Sequence, residues 1–415
     1  MPSLINVAHA SACRARTRAG AWCLLFPLIA CAQPRPISDA EVMRVHRSTL
    51  LIDTHNDVPS RTVEGFDIGP RAPDGHTDIV RLKQGNVGAQ FFAVYVAAGY
   101  VEGNHSANRA LQMIDTVRHD IAGKYPNDFQ FATTARDIED AHRRGKIAAL
   151  MGIEGGHAIE DSLRLLREYY ALGIRYMTLT HGNTNHWADS SGDITDPKIQ
   201  HHNGLTPFGK DVVREMNRLG MMVDISHVAD KTFWDALETS RAPIFASHSS
   251  SRAVADAARN MTDEMIVALA KKGGVVQVNF NCGFLSQKFR DAQAKESPLL
   301  DARLARETAG KNISEPDRQI LTEKLRIEMR QTRATLADVV EHIDHMKKIA
   351  GVDAIGIGGD FDGVTCTPEG LDDVSKFPNL TRALLERGYT ADDIRKIYGG
   401  NLLRVMRTVE MAAGK

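Results

Sequence analysis

Five cysteines in 415 residues are too few for a scaffold built on disulfides, and they are unevenly spread. Cys13, Cys23 and Cys31 fall in the first 31 residues, which leaves Cys282 and Cys366 for everything after them. Neither sign of charge is in excess: 51 Lys+Arg stand against 52 Asp+Glu. That balance excludes a nucleic-acid binder working by bulk positive charge, and it excludes an acidic disordered tail protein. From Ser38 onward there is no low-complexity linker, no short repeat and no Pro/Gly-rich break. No Gly-x-Gly-x-x-Gly turn follows the first apolar run, so an open dinucleotide-binding sheet lacks its signature. What is there is ordinary for a globular protein, 43% hydrophobic and 25% charged. Against so little cysteine, 16 histidines lean the chemistry toward imidazole.

Acidic residues are also missing before Asp39, where Arg14, Arg16 and Arg18 precede an uncharged run from Ala19 to Gln33. A basic stretch followed by a short apolar one reads as a secretory signal. The run falls short of the roughly 20 apolar residues that span a bilayer. Leu28-Ile29-Ala30-Cys31 resembles a lipobox, so residues 1–31 are read as a leader removed up to a lipidated Cys31. Simple cleavage near Ala30-Cys31-Ala32, releasing a soluble protein, is the alternative. Export to the periplasm or cell envelope, with a lipid anchor, is the expectation. Residues 38–415 are then a single folded domain.

Within that domain a short β-rich apolar run recurs, each followed by a helix-like segment. The runs are Leu50–Asp53, Gln90–Val96, Ile147–Ile153, Tyr176–Thr180, Met221–Ile225, Ile244–Ser247, Gly274–Phe280 and Ala354–Gly358. Amphipathic stretches such as Ala107–His119, Leu163–Leu172, Pro207–Leu219, Lys231–Thr239 and Thr262–Lys271 lie between them. Thr206 can cap the third, with Pro207 at the first helical position, where a missing N–H costs nothing. Apolar strands alternating with helices argue for a parallel sheet covered on both faces. Eight such units predict an α/β fold, a (β/α)8 TIM barrel. The gap between Phe280 and Ala354 is out of proportion, and its Lys/Arg/Glu/Gln-rich part, with a helix over Gln319–Arg333, reads as a helical insertion between strands 7 and 8.

Several runs end on metal-type ligands. The first ends in His55-Asn56-Asp57, where i and i+2 point to one face of a strand. The third ends in Glu154, a carboxylate after an apolar run that must be paired, solvated or metal-bound. The fifth ends in Asp224-Ile225-Ser226-His227, the sixth in His248, and the eighth in Asp360-Phe361-Asp362-Gly363. In a barrel these strand ends share one rim, the usual place of the active site. Two histidines and a carboxylate hold one ion. His55, Asp57, Glu154, His227 and His248 can hold two, with Glu154 bridging. Nitrogen and oxygen ligands without thiolate favour Zn2+, with Mn2+ or Co2+ as substitutes.

These segments, with Thr77-Asp78-Ile79-Val80-Arg81-Leu82 and Leu179-Thr180-His181, resemble the membrane (renal-type) dipeptidase family of dizinc peptidases, over about Leu51 to Met406. The resemblance implies a zinc-dependent dipeptidase with two Zn2+ per chain, acting through a metal-bridging hydroxide. It implies His55 and Asp57 on one ion, His227 and His248 on the other, and Glu154 on both. It implies His181 as a catalytic and substrate-binding contact to the scissile carbonyl, Arg259 as holder of the substrate carboxylate, and Asp360 as the acid/base. Substrates would be dipeptides with a free C-terminal carboxylate, extending to D-residues, dehydropeptides or β-lactams, and the assembly a homodimer. Where many relatives carry a tyrosine near the substrate, this chain has Asn281. An N-acyl-amino-acid amidohydrolase with the same site, and a non-catalytic periplasmic binding lipoprotein, are the other readings. A pure binder, however, has no use for Asp360.

Other histidines have blander readings. His342 and His345, on one helix face, are read as surface or packing residues, and His201-His202 as loop residues. His157, three past Glu154, is a candidate to orient it. Cys366 is read as a free buried thiol.

Overall fold

The computed structural model describes residues 37–311, 315–330 and 332–414, so the leader at 1–31 and Cys31 lie outside the described residues. Nine parallel strands form one sheet: β1 (Leu51–Asn56), β2 (Val87–Tyr95), β3 (Phe129–Phe131), β4 (Ile147–Glu154), β5 (Ile174–Thr178), β6 (Met222–Asp224), β7 (Phe245–Ser249), β8 (Val275–Val278) and β9 (Ile355–Ile357). Eight of them run in the order β1-β2-β4-β5-β6-β7-β8-β9, and β3 sits off this path on β4. The ends of the path meet where Asn56 bridges Phe361, Asp360 N–H donates to the His55 carbonyl (3.1 Å), and Asp57 N–H donates to the Phe361 carbonyl (2.9 Å). This is the (β/α)8 barrel that the eight apolar runs predict. β3 is the extra strand, three residues with no apolar run of its own.

The strands are buried on both faces, which is why they read as unbroken apolar runs; every residue of β4 is buried. The helices between them follow their expected caps. In Pro207–Leu219, Thr206 accepts from Gly209 N–H at 3.2 Å and Gly220 closes the other end with φ +83°. Thr262 caps Asp263–Lys271 in the same manner. Among the described residues no helix is long and apolar enough to cross a membrane.

The long segment between β8 and β9 is helical, as expected, with different bounds. Gln287–Thr308 and Glu315–Met329 pack on each other around Leu300, Leu304 and Leu325. The second helix stops at Met329 instead of reaching Arg333. Arg330 and Arg333 instead bond the carbonyls of Thr365 (2.9 Å) and Thr367 (2.5 Å), beyond β9. His342 and His345 are structural, as read. Buried His342 accepts from Ser251 N–H and reaches the Leu285 carbonyl, both at 3.0 Å, while His345 meets Asp263. Cys366 is not a free thiol. It is disulfide-bonded to Cys282, tying the loop after β8 to the loop after β9.

Candidate metal centre

The strand ends bring the five expected ligands to one rim. His55 and His248 lie within β1 and β7, and Glu154 is the last residue of β4. Asp57 lies just past β1 and opens a short helix, Val58–Thr62, and His227 stands three residues past β6. Glu154 occupies the middle with its two oxygens facing different partners. Oε2 faces His55 Nε2 at 3.4 Å, whereas Oε1 faces His227 Nε2 at 3.0 Å and His248 Nε2 at 3.2 Å. Asp57 Oδ2 joins His55 Nε2 from the other side at 3.3 Å. The donor atoms converge in three groups: His55, Glu154 and His248; Glu154, His181 and His227; and His55, Asp57 and Asp360.

Each imidazole that can be traced is anchored through Nδ1 and turns Nε2 inward. The Tyr176 hydroxyl donates to the Thr54 carbonyl (3.0 Å), so at 2.9 Å it can only accept from His55 Nδ1–H, which turns Nε2 toward Glu154 and Asp57. Ser247 Oγ donates to Asp224 Oδ2 (2.6 Å) and accepts from His248 Nδ1–H (2.7 Å), which orients that ring in the same way. Room for the first of these relays comes from Gly152, where a Cβ would stand 2.0 Å from the Tyr176 ring. Burial pushes the imidazoles of His227 and His248 down, toward the neutral ligand form. Burial works against charge on Glu154, but His55 and His181, with the bonds from His227 and His248, hold it well below the ordinary carboxylate range. His55 Nε2 and Asp57 Oδ2 are buried without any hydrogen-bond partner. A set of inward imidazole nitrogens and carboxylates with orphaned atoms fits divalent cations.

Tyr176 and Ser247 are the functional residues that motif reading misses, because their partners are distant in sequence. Tyr176→Phe keeps the ring and removes the acceptor for His55 Nδ1–H. We expect metal affinity to fall about 10- to 100-fold, measured by competition with a chelator; unchanged affinity would remove Tyr176 from the site.

The cleft above these ligands measures about 330 Å³, at the small end of ligand pockets of about 300–1,000 Å³. His181 and Asp360 line it, with Tyr95, Asn281, Phe284 and Asp362. His181 packs against His227 (centroids 4.5 Å apart) and takes the edge of Tyr95 at 4.8 Å. Asp360 Oδ2 accepts from Asn279 Nδ2 at 2.8 Å, and burial pushes its carboxyl up. His227 (φ +67°) and Asp360 (φ +59°) both hold left-handed backbone, which costs a non-glycine residue about 1–3 kcal/mol and concentrates at functional sites. Gly363 must be glycine, because a Cβ there would lie 2.3 Å from Asp57 Oδ2 and 2.5 Å from Asp360 Oδ1.

Arg259 stands beside the cleft, anchored by Nη1–H to Ser249 Oγ and by Nη2–H to the His248 carbonyl, both 2.6 Å. Its Nε is buried without a partner, and each terminal nitrogen keeps a second N–H. His157 does not orient Glu154. Its Nε2–H goes to the Val96 carbonyl at 2.9 Å, because the turn after Glu154 swings the ring toward the end of β2. Asn281 lines the cleft, but its Oδ1 accepts from Gly283 N–H (2.8 Å) and so caps the next helical turn.

A family model described as membrane dipeptidase, peptidase family M19, matches residues 39–415. An uncharacterized dipeptidase of Schizosaccharomyces pombe is 37% identical over 377 residues, 87% of this chain and 81% of its own. Among solved structures, the probable dipeptidase PvdM of Pseudomonas aeruginosa matches with TM-score 0.76 at 26% identity, covering 92% of this chain and all of that one. A metallo peptidase of Rhodobacter sphaeroides, solved with a phosphinate mimic of the dipeptide L-Ala-D-Ala, matches with TM-score 0.70 at 25% identity, over 87% of this chain and all of the other.

Proposed function

This chain belongs to the membrane dipeptidase family and is a metallo-dipeptidase, and from that premise we propose that it hydrolyses dipeptides bearing a free C-terminal carboxylate, using two divalent ions, Zn2+ by preference. The observation that carries the two-ion reading is Glu154, whose oxygens face His55 on one side and the His227–His248 pair on the other. His55 and Asp57 would hold one ion, His227 and His248 the other, and Glu154 both. Bound there, the ions supply a nucleophile from water near neutral pH and polarise the scissile carbonyl.

The chain's own groups do the rest. His181, on the open side of the cleft, donates to the carbonyl oxygen as the carbon becomes tetrahedral, a contact worth about 2.7–4 kcal/mol where such donors have been removed. Asp360, whose affinity for a proton is raised by burial, would take the proton that the attacking water gives up and pass it to the leaving amine. Arg259 offers the substrate carboxylate its remaining N–H groups from a guanidinium already fixed in place, a planar fork that lysine lacks. That the Rhodobacter relative holds a mimic of L-Ala-D-Ala supports dipeptides, including those with a C-terminal D-residue. We propose export as well, which the Cys282–Cys366 disulfide supports, since such bonds persist in oxidising compartments.

The carboxylate contact supplies the test. Arg259→Met should raise KM about tenfold or more, with kcat less affected, because a charged hydrogen bond is lost from ground and transition states alike. Dipeptide amides should be poor substrates of the parent and lose little further in the variant. Amides cleaved as well as free dipeptides would overturn the carboxylate reading in favour of an N-acyl-amino-acid amidohydrolase recognised through its acyl side.

A further inference from the structure

Asp360 stands in a turn closed by a 3.2 Å bond from Gly363 N–H to the Asp360 carbonyl. Asp360 and Asp362 both hold left-handed backbone there, at φ +59° and +64°, which non-glycine residues keep only where their surroundings fix them. On the Asp360 side the restraints come from the barrel, through His55 and Asn279. On the Asp362 side they come from His76 to Leu82, a segment that adds no lining residue to the metal cleft.

Two hydrogen bonds join His76 and Asp362 in opposite directions. Asp362 N–H donates to His76 Nδ1 and His76 N–H donates to Asp362 Oδ1, each at 2.9 Å. A backbone N–H can only donate, so Nδ1 presents its lone pair to the turn. The Asp362 side chain is buried, at 1% exposure, and Arg61 Nη1 stands 3.5 Å from the same oxygen. The His76 ring also lies against Phe361, between the two aspartates, with centroids 5.8 Å apart.

His76 is itself held from behind. Its carbonyl accepts from Val374 N–H (3.2 Å), and the carbonyls of Asp74 and Gly75 accept from Arg81 Nη2 (3.0 Å) and Nη1 (2.6 Å). Arg81, itself buried, is fixed in turn by Asp78 at 2.6 Å, and Asn56 Nδ2, between two metal ligands in sequence, donates to Thr77 Oγ1 (2.8 Å). A buried ion pair that lines no part of the cleft thus fixes the backbone next to His76.

We propose that His76 is a positioning residue for the proton transfer: its paired hydrogen bonds with Asp362 hold the turn, and so set the place of the Asp360 carboxylate. This rests on Asp360 as the acid/base. A displacement of about 1 Å in such a group can cost about 100-fold in rate.

His76→Leu and His76→Asn test it in the metal-loaded enzyme. Both replacements remove the ring and they are close in size, but the asparagine Oδ1 can replace Nδ1 as acceptor for Asp362 N–H. His76→Leu should lower kcat about tenfold or more, with KM nearly unchanged and the parent's metal content retained. His76→Asn should recover most of that loss. In an Asp360→Asn background His76→Leu should lower kcat little further, since the positioned group no longer transfers a proton. Should His76→Leu fail to fold, Asp362→Gly breaks the pair from its other end and suits the left-handed backbone, and a parental kcat there would overturn the proposal. Equal kcat in His76→Leu and His76→Asn, loss of metal in His76→Leu, or full additivity with Asp360→Asn would each overturn it as well. A parental kcat in Asp360→Asn alone would instead remove the acid/base reading, and the proposal with it.

Discussion

Asp360→Asn should lower kcat by about 100-fold or more while both metal ions stay bound. The substitution is nearly isosteric, so the cleft keeps its shape and only proton transfer is lost. Three features hold the carboxylate where it must act: the 2.8 Å bond from Asn279, the left-handed backbone at φ +59°, and the 3.1 Å bond from its own N–H to the His55 carbonyl. Burial pushes the carboxyl up, with Asp57 and Glu154 adding to the effect and His55 opposing it, so the group accepts a proton readily. Bound cations act in the opposite direction and keep it able to release that proton. Steady-state kinetics with elemental analysis of the same preparation checks the prediction. A kcat within a few-fold of the parent would assign the proton transfer to another group.

Glu154→Gln should cost more, since a carboxylate shared by two ions belongs to both. Elemental analysis of the active parent should find two divalent ions per chain, and the variant should lose occupancy at both positions together with its dipeptidase activity. The geometry gives the reason: Oε1 and Oε2 serve different histidines, and replacing one oxygen by an amide NH2 puts a donor where a lone pair is needed. Either orientation of the amide leaves one side short, and the lost negative charge weakens the other. If one ion were lost and the other retained in full, Glu154 would be a terminal ligand. One ion in the active parent would defeat the two-ion reading outright.

The eight barrel strands are legible in the sequence because each is buried on both faces and reads as an apolar run; Phe129–Phe131 escapes because three residues make no run. The metal-type ligands are legible because a polar residue ending an apolar strand is conspicuous, and the barrel gathers those ends on one rim. The residues behind them are not. Tyr176 lies 121 residues from His55 and looks like any buried strand aromatic. Its only local trace is the glycine across from it, since Gly152 pairs in register with Tyr176 on the neighbouring strand. Nearness in sequence makes His157 a candidate to orient Glu154, whereas the turn at Gly155, with φ +106°, carries it to the end of β2. The disulfide has a readable sign, because a folded body holding two cysteines has the even number that pairing needs.

That disulfide also changes what a cut in the chain would mean. Cys282 and Cys366 are separated by 84 positions, and the helices Gln287–Thr308, Glu315–Met329 and Leu336–Ala350 all lie between them. The five expected metal ligands all precede Cys282, whereas Asp360 follows the inserted helices. A protease acting on the insertion would sever the acid/base from the histidines along the backbone. The two fragments would nevertheless remain one molecule through sulfur, with the β8 and β9 loops fastened beside the cleft. The inserted helices can thus be nicked without parting the two fragments.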